Sequence, residues 1–554
     1  MTAPDQILQC LVEEETQSQR TINKVPIVGF FASIGNNVNQ MVGSGIFSTP
    51  GIIWRWTGSP TATLLLFFAG AVISMCGSLI YAEERIMIPE MGGEKAYLAK
   101  AFPEPHRLFS YLFSVVMITI IRPGTIVAVS NIVAQYALFA FLGFDRTNDA
   151  DYHPAYLDNG NFWRLRGISL VALLIASGYH CYSNVVANRI NQTFSIIKML
   201  ILTVIALMGL IVLMNDASNL RVALNLRDAF NTQREDHQHP VSSSDYGAAL
   251  LMTLFCYEGW NNINYQLDEL RDVKKNLVRT GIVSVGAVGA LFLLVLISYI
   301  SVVPDSYILN QNNTLSGAND TLSGANNTSP DDPNEVIVTL FVTFFKNFTT
   351  SQNVAIPQLI QESDSIARAF SVFVVISSFG AMAALMWSGA RIIVASAQSE
   401  YIPRFSNFLK RRHEDRATYT NAFVAQMIWC ALITILAPTT DPFSFLVSLS
   451  QYTTSIVYGA AAIGLLHLRY TAPNLPRPTP VPKLIVYIFL LVIALILILP
   501  FTKDLQQLPF VISLCVIGLG VTAWYWKYYA LNPSLVPQSD SDTISGMSLV
   551  CSSV

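Results

Sequence analysis

Val42-Gly43-Ser44-Gly45-Ile46-Phe47, followed at once by Thr49-Pro50-Gly51, interrupts the first long apolar stretch of the chain, and Cys256-Tyr257-Glu258-Gly259-Trp260-Asn261-Asn262 interrupts the sixth. Glycine costs about 1 kcal/mol inside a helix and proline about 3. So many breakers in one stretch predict a helix that unwinds near its middle. The sixth stretch reads the same way, because a glutamate, a glycine and two asparagines stand where apolar residues would continue. Unwound backbone inside a bilayer is tolerated only where protein or a water-lined cavity satisfies its N–H and C=O groups. Simple kinks or glycine-packed helix contacts are the plainer alternative.

The surroundings of these two stretches make them membrane spans. The chain has 554 residues, 52% hydrophobic and only 12% charged, where a soluble domain carries about a quarter charged. A hydrocarbon core of roughly 30 Å takes about 20 residues of helix. Runs of that kind lie near 26–55, 60–88, 107–142, 164–186, 193–215, 244–270, 279–303, 366–399, 419–437, 442–468, 482–501 and 508–530. The expected architecture is all-α and polytopic, with twelve transmembrane helices in one domain over 25–530. The tails, 1–24 and 531–554, are polar, and the first has no apolar core of a cleavable leader.

Lysine and arginine gather in the loops after even-numbered spans, for example Arg85, Lys95, Lys100 and Arg107, and again Lys410, Arg411, Arg412 and Arg416. This bias places those loops and both termini in the cytosol, and the plasma membrane is the expected location. The longest loop, 304–365, then lies outside. It carries glycosylation sequons at Asn312, Asn319, Asn326 and Asn347, and the segment TLSGAN is duplicated at 314–319 and 321–326.

The breaks fall in spans one and six, so the repeat is five spans long. An odd repeat enters the membrane from the opposite side the second time, which is an inverted repeat. Paired interruptions at corresponding positions of two halves mark the binding site of a transporter. N–H groups after Gly43 and Gly45 would sit at a helix N-terminus that suits a carboxylate. Carbonyls released at the ends of the half-helices suit an ammonium. A site holding both charges of a zwitterion is an amino-acid site.

In order along the chain, Gly43-Ser44-Gly45-Ile46-Phe47, Tyr81-Ala82-Glu83, Gly92-Gly93 with Tyr97, Ile121-Arg122-Pro123, Cys181-Tyr182-Ser183, Phe255-Cys256-Tyr257-Glu258-Gly259-Trp260-Asn261 and Ser378-Phe379-Gly380 with Arg391 resemble the L-type amino-acid transporters of the APC superfamily, and the fungal high-affinity methionine permeases most closely. The likeness runs from about residue 25 to 420. It implies a LeuT-like fold of five plus five inverted spans with two more helices, and sodium-independent secondary transport of methionine or other large neutral L-amino acids by alternating access. Carried over by position, Ser44 and Gly45 would meet the carboxylate and Ile46 would help shape the site. Phe255 would cover it as a gate, with Tyr257, Glu258 and Trp260 lining or flanking it. Mammalian L-type transporters are linked to a heavy subunit through a cysteine in the loop after span three. Here that loop, 143–163, has no cysteine, so no disulfide-linked heavy subunit is expected.

Three charges stand inside spans. Lys198 in span five either braces the first broken helix, titrates, or snorkels to the nearby interface; in the resembled family a lysine on this span looks like a stand-in for sodium. Glu258, where many relatives have a small neutral residue, is a selector for cationic side chains, a protonatable coupling group, or a carboxylate pointing at cytosolic water. Arg122-Pro123 in span three reads as structural, since proline kinks a helix and frees a carbonyl. Asp268, Glu269, Arg271 and Asp272, with Arg391 and Glu400, could form an inner gate, but exposed charges at helix ends are more often simply solvated, and Glu83 and Glu84 read the same way.

No metalloprotease, phosphate-loop or nucleophile-elbow pattern occurs, and the cysteines at 10, 76, 181, 256, 430, 515 and 551 lack metal or disulfide spacing. No enzyme activity, metal, cofactor or nucleic-acid partner is expected; the partners are lipid and an amino-acid substrate. An amino-acid sensor without net transport, a permease for cationic amino acids that uses Glu258, and a channel are the alternatives.

Overall fold

The computed structural model describes residues 29–90, 92–142, 159–215, 243–265, 273–302, 363–413, 418–438, 442–477, 479–499 and 508–530. Both tails, the four sequons, the cysteine-free loop over 143–158 and Asp268, Glu269, Arg271 and Asp272 lie outside the described residues. Among those described, the chain is helical, with no strand beyond an isolated bridge between His413 and Thr418.

Each expected span is occupied by helix. The first is split into α1 (Phe30–Met41), α2 (Gly45–Ser48) and α3 (Pro50–Thr57), and α4 (Pro60–Met87) follows. A connecting helix α5 (Glu94–Ala101) leads to the third span, built from α6 (Leu108–Val116), a π turn at Met117–Ile121 and α7 (Arg122–Leu142). Then come α8 (Asn159–Tyr182), α9 (Asn184–Asn215), α10 (Ser243–Cys256) and α11 (Val273–Val302). The rest are α12 (Ser363–Gln398), the short α13 (Ser406–Leu409), α14 (Thr420–Leu436), α15 (Pro442–Thr471), α16 (Lys483–Ile498) and α17 (Leu508–Tyr525). Among the described residues, 7 helices are long and apolar enough to cross a membrane; the other spans are interrupted, shorter or more polar. The chain is an all-α, polytopic membrane protein, as expected.

Large apolar side chains on α8, α9, α16 and α17, Leu174, Leu200, Leu491 and Leu514 among them, are exposed. A continuous apolar exterior of this extent belongs in lipid. Polar side chains turn inward instead. The helices α4 and α11 pack together, as do α7 and α12, and α9 lies against α1 and α11. These contacts place α1, α7, α10 and α12 around one interior.

Pro123 shows how sequence shapes a span here. It cannot donate to the carbonyl of Thr119, four residues back. That carbonyl accepts instead from the Trp429 indole Nε1 at 3.1 Å, and the freed backbone relaxes into the π turn.

One sequence reading is overturned. Glu83 and Glu84, expected to be solvated, are 2% and 0% exposed. Glu83 accepts from Arg469 Nε at 3.0 Å and from the Val481 amide at 2.7 Å, with Arg477 Nε 4.0 Å away. Arg469 arrives from the end of α15, so no local pattern announced it. Replacing Glu83 with alanine leaves Arg469 without its counter-charge in a largely dry place. The Glu83→Ala protein is expected to lose about 3 kcal/mol of stability, read as a lower thermal midpoint in detergent, whereas an unchanged midpoint would mean that water replaces the carboxylate.

Candidate functional site

The two breaks form where the sequence placed them. α1 ends at Met41, residues 42–44 are non-helical, and α2 restarts at Gly45. α10 ends at Cys256, residues 257–261 turn, and a 3-10 segment follows over Asn262–Tyr265.

The breaks touch each other. A Cβ on Gly45 would lie 2.8 Å from the Cys256 Cα, so the restart of the first span rests directly on the backbone at the end of α10. Thr49 Oγ1 and Cys256 Sγ close the same seam at 2.8 Å. Gly259 has φ +112°, a conformation that side-chain-bearing residues rarely adopt. A Cβ there would meet Gln40 at 2.7 Å. Only glycine fits at either point of approach.

Freed carbonyls are met by donors from other helices. Lys198 on α9 is fully buried and its Nζ donates to the Asn39 carbonyl at 2.8 Å. The snorkelling alternative therefore fails: the amine end of Lys198 is hydrogen-bonded at the first break. Ser377 Oγ on α12 donates to the carbonyls of Val42 and Gly43 at 3.4 and 3.3 Å, and Asn39 Nδ2 donates to the Gly380 carbonyl at 3.0 Å. Across the interior, Asn37 Nδ2 donates to the Trp260 carbonyl of the second break at 3.4 Å.

Other polar atoms around the breaks are buried without a partner: Ser44 Oγ, both amide atoms of Gln40, Ser378 Oγ and Asn131 Nδ2. At the start of α2 the Phe47 and Ser48 amides donate to the Ser44 carbonyl at 3.0 and 2.8 Å, which leaves the first two amides, of Gly45 and Ile46, without an intrahelical acceptor. Unmet buried groups call for explanation, and a polar ligand between α1, α7 and α12 supplies one.

Around this interior, Gly43, Ser44, Gly45 and Ile46 are buried in the first break. Phe255 lies edge-on to Phe443 with ring centroids 5.7 Å apart. Tyr257 points away toward α4 and α11, with its hydroxyl donating to the Phe67 carbonyl at 3.0 Å and its ring 5.3 Å from Phe292. Trp260 packs against Tyr81 and Tyr458 at 4.9 and 5.0 Å. Glu258 is 7% exposed, which removes the reading of a carboxylate facing water. Its Oε1 lies 3.6 Å from Arg122 Nη1, and its Oε2 accepts from Gln451 Nε2 at 2.6 Å. Arg391 sits over the rings of Trp387 and Tyr419 at 4.7 and 5.6 Å.

Sequence reading missed Asn39, Ser377, Gln451 and the pair Glu94–Tyr265. Gln451 was the most findable, since a glutamine in the middle of an apolar span is itself a signal. Tyr265 donates to Glu94 Oε2 at 2.6 Å and Asn261 Nδ2 to Oε1 at 2.9 Å. Glu94 stands on the connecting helix α5, outside the spans; burial pushes its carboxyl above the ordinary range, against the pull of Tyr265, Arg122 and Asn261.

The Gly45 contact can be tested alone. Gly45→Ala forces a methyl onto Cys256 backbone, while Gly167→Ala enters open space. Overpacking costs typically 1–3 kcal/mol, so Gly45→Ala is expected to lower the thermal midpoint of the purified protein, and Gly167→Ala, within α8, to keep or slightly raise it. Equal midpoints would show that the two half-spans do not meet there.

Comparison with known proteins gives this architecture relatives. Over 526 residues the chain is 24% identical to the large neutral amino acids transporter small subunit 2 of Mus musculus, covering 94% of this chain and 84% of that protein. It is 23% identical over 478 residues to the b(0,+)-type amino acid transporter 1 of the same species, covering 86% and 83%. With the Asc-type amino acid transporter 1 of Mus musculus it shares 22% over 477 residues, covering 86% and 77%. The family model described as amino acid permease matches residues 28–325 and 336–522, nearly the whole helical body, and the chain belongs to the amino acid permease family.

Proposed function

We propose that this chain carries large neutral L-amino acids, methionine among them, across the plasma membrane by sodium-independent alternating access, with both termini in the cytosol. The observation that carries the reading is the meeting of two interrupted helices, Gly45 against Cys256 and Gly259 against Gln40. Between them lie helix-start amides and a buried, unpartnered Ser44 hydroxyl for a carboxylate. The family and the names of the similar transporters support an amino acid as the cargo. In this reading Gly43, Ser44, Gly45 and Ile46 hold the carboxylate end, and Phe255 covers the site. Tyr257 and Trp260 fix the second break against its neighbours rather than touch the cargo.

Lys198 supports independence from sodium. Its amine already donates to the Asn39 carbonyl, so that a side-chain group of the protein occupies the first break. Neutral cargo is favoured over cationic because Glu258 is already engaged by Arg122 and Gln451. The absence of a cysteine from 143–163 supports operation without a disulfide-linked heavy subunit. The lysine and arginine bias of the loops supports the orientation.

Uptake of radiolabelled methionine into cells or proteoliposomes tests the reading. Accumulation should persist when choline replaces sodium and should be competed by unlabelled large neutral amino acids, with a parallel series run with and without a proton gradient. Binding without accumulation would make the chain a sensor, and a strict sodium requirement would remove the role given to Lys198. Lys198→Met leaves the Asn39 carbonyl unmet. A hydrogen bond to a charged group is worth about 1.5–3 kcal/mol, so initial uptake should fall at least about tenfold with surface expression retained; full uptake would show the ammonium to be dispensable.

A further inference from the structure

Glu258 stands one residue before Gly259, at the point where the second break crosses the first span. A bare carboxylate there would draw cationic side chains toward the cargo site. It is not bare. Arg122 Nη1 lies 3.6 Å from one of its oxygens, and Gln451 Nε2 donates to the other at 2.6 Å.

Arg122 is itself poorly served. It is 3% exposed, its Nε and Nη1 have no hydrogen-bond acceptor, and at 3.6 Å the contact with Glu258 is an ion pair rather than a hydrogen bond. Its guanidinium lies over the Tyr265 ring, 5.4 Å from the centroid. The other carboxylate in reach of this cluster, Glu94, is taken by Tyr265 and Asn261. A buried guanidinium held at such expense of unmet donors is retained for its charge, not for the strength of its contacts.

At Glu258 itself one carboxylate faces one guanidinium and a neutral amide, while Glu94 stands beyond Tyr265 and Asn261. Beside them is a cavity of about 20 Å³ lined by Ser74, Leu254, Trp260 and Tyr458 as well as Glu258 and Gln451, large enough for one water. Ser74 Oγ in its wall has no partner.

We infer that Arg122 is a specificity-determining residue: by neutralising Glu258 from the third span, it keeps cationic amino acids out of a site that would otherwise accept them. The inference rests on the transport reading above and deepens it. The protein would be a latent cationic permease held neutral by one internal cation. Removing that cation should leave the Glu258 carboxylate uncompensated beside the second break.

The test compares wild type, Arg122→Gln, Arg122→Met and the double variant Arg122→Gln/Glu258→Gln by methionine uptake with arginine and lysine as competitors. Wild-type uptake should be insensitive to both cations. Arg122→Gln and Arg122→Met, each leaving the Glu258 carboxylate uncompensated, should become at least about tenfold more sensitive to arginine and lysine, and should accumulate radiolabelled arginine. The double variant should return to neutral-only competition. Should Arg122→Gln fail to reach the membrane, Arg122→Met decides alone, since it removes the same cation with a side chain that needs no hydrogen-bond partner. Unchanged competition in the single variants that reach the membrane overturns the inference while leaving the transport reading intact. No methionine accumulation by wild type overturns the transport reading itself.

Discussion

The carbonyls of Asn39, Val42 and Gly43 end a helix in the middle of an apolar body. A main-chain oxygen in that position must be met by a donor from elsewhere, or the break costs several kcal/mol per group. Lys198 from α9 and Ser377 from α12 meet these three, and Asn37 of α1 meets the carbonyl of Trp260 in the other break. The arrangement of the central helices follows from this obligation. α9 has to run beside α1 so that its lysine arrives at Asn39, and α12 has to cross at the level of Val42.

The same obligation divides the polar interior into two tiers. Main-chain oxygens at the breaks are held by hydroxyl, amide and ammonium donors. Side-chain charges are collected to one side, where Arg122, Glu258, Gln451, Tyr265 and Glu94 join α7, the second break, α15 and α5. The first tier fixes the shape of the interior and the second sets its charge. Helices that pack through small residues and shared polar contacts, rather than through a hydrophobic effect that lipid does not supply, depend on both.

Much of this was legible in the chain. Glycine and proline are intrinsic breakers, so the interruptions at 42–44 and 257–261 were visible without knowing any neighbour. Apolar length located the spans for the same reason. Partnerships across the fold were not legible, because they depend on how each helix is rotated about its axis. Lys198 was equally compatible with an interface or an interior, and only the facing of α9 toward Asn39 decided it. Glu83 was misread because the arginine that covers it lies 386 residues further along. Gln451 and Glu94 carry no pattern of their own, and each gains meaning only beside Glu258 or Tyr265.

The π turn at Met117–Ile121 sets the rotation of all of α7. A helix advances about 100° per residue, and a π turn holds one more residue than the α turn it replaces. Every side chain beyond it is accordingly turned about a quarter of a circle relative to an unbroken spiral. Arg122 is the first residue after that offset, and from there to Ala134 the helix is buried on every side. The neighbour each of these side chains meets is thus chosen by phase as much as by composition: lengthening or shortening the backbone by a single unit near Thr119 would turn Arg122 away from Glu258 and toward another of the helices that enclose α7.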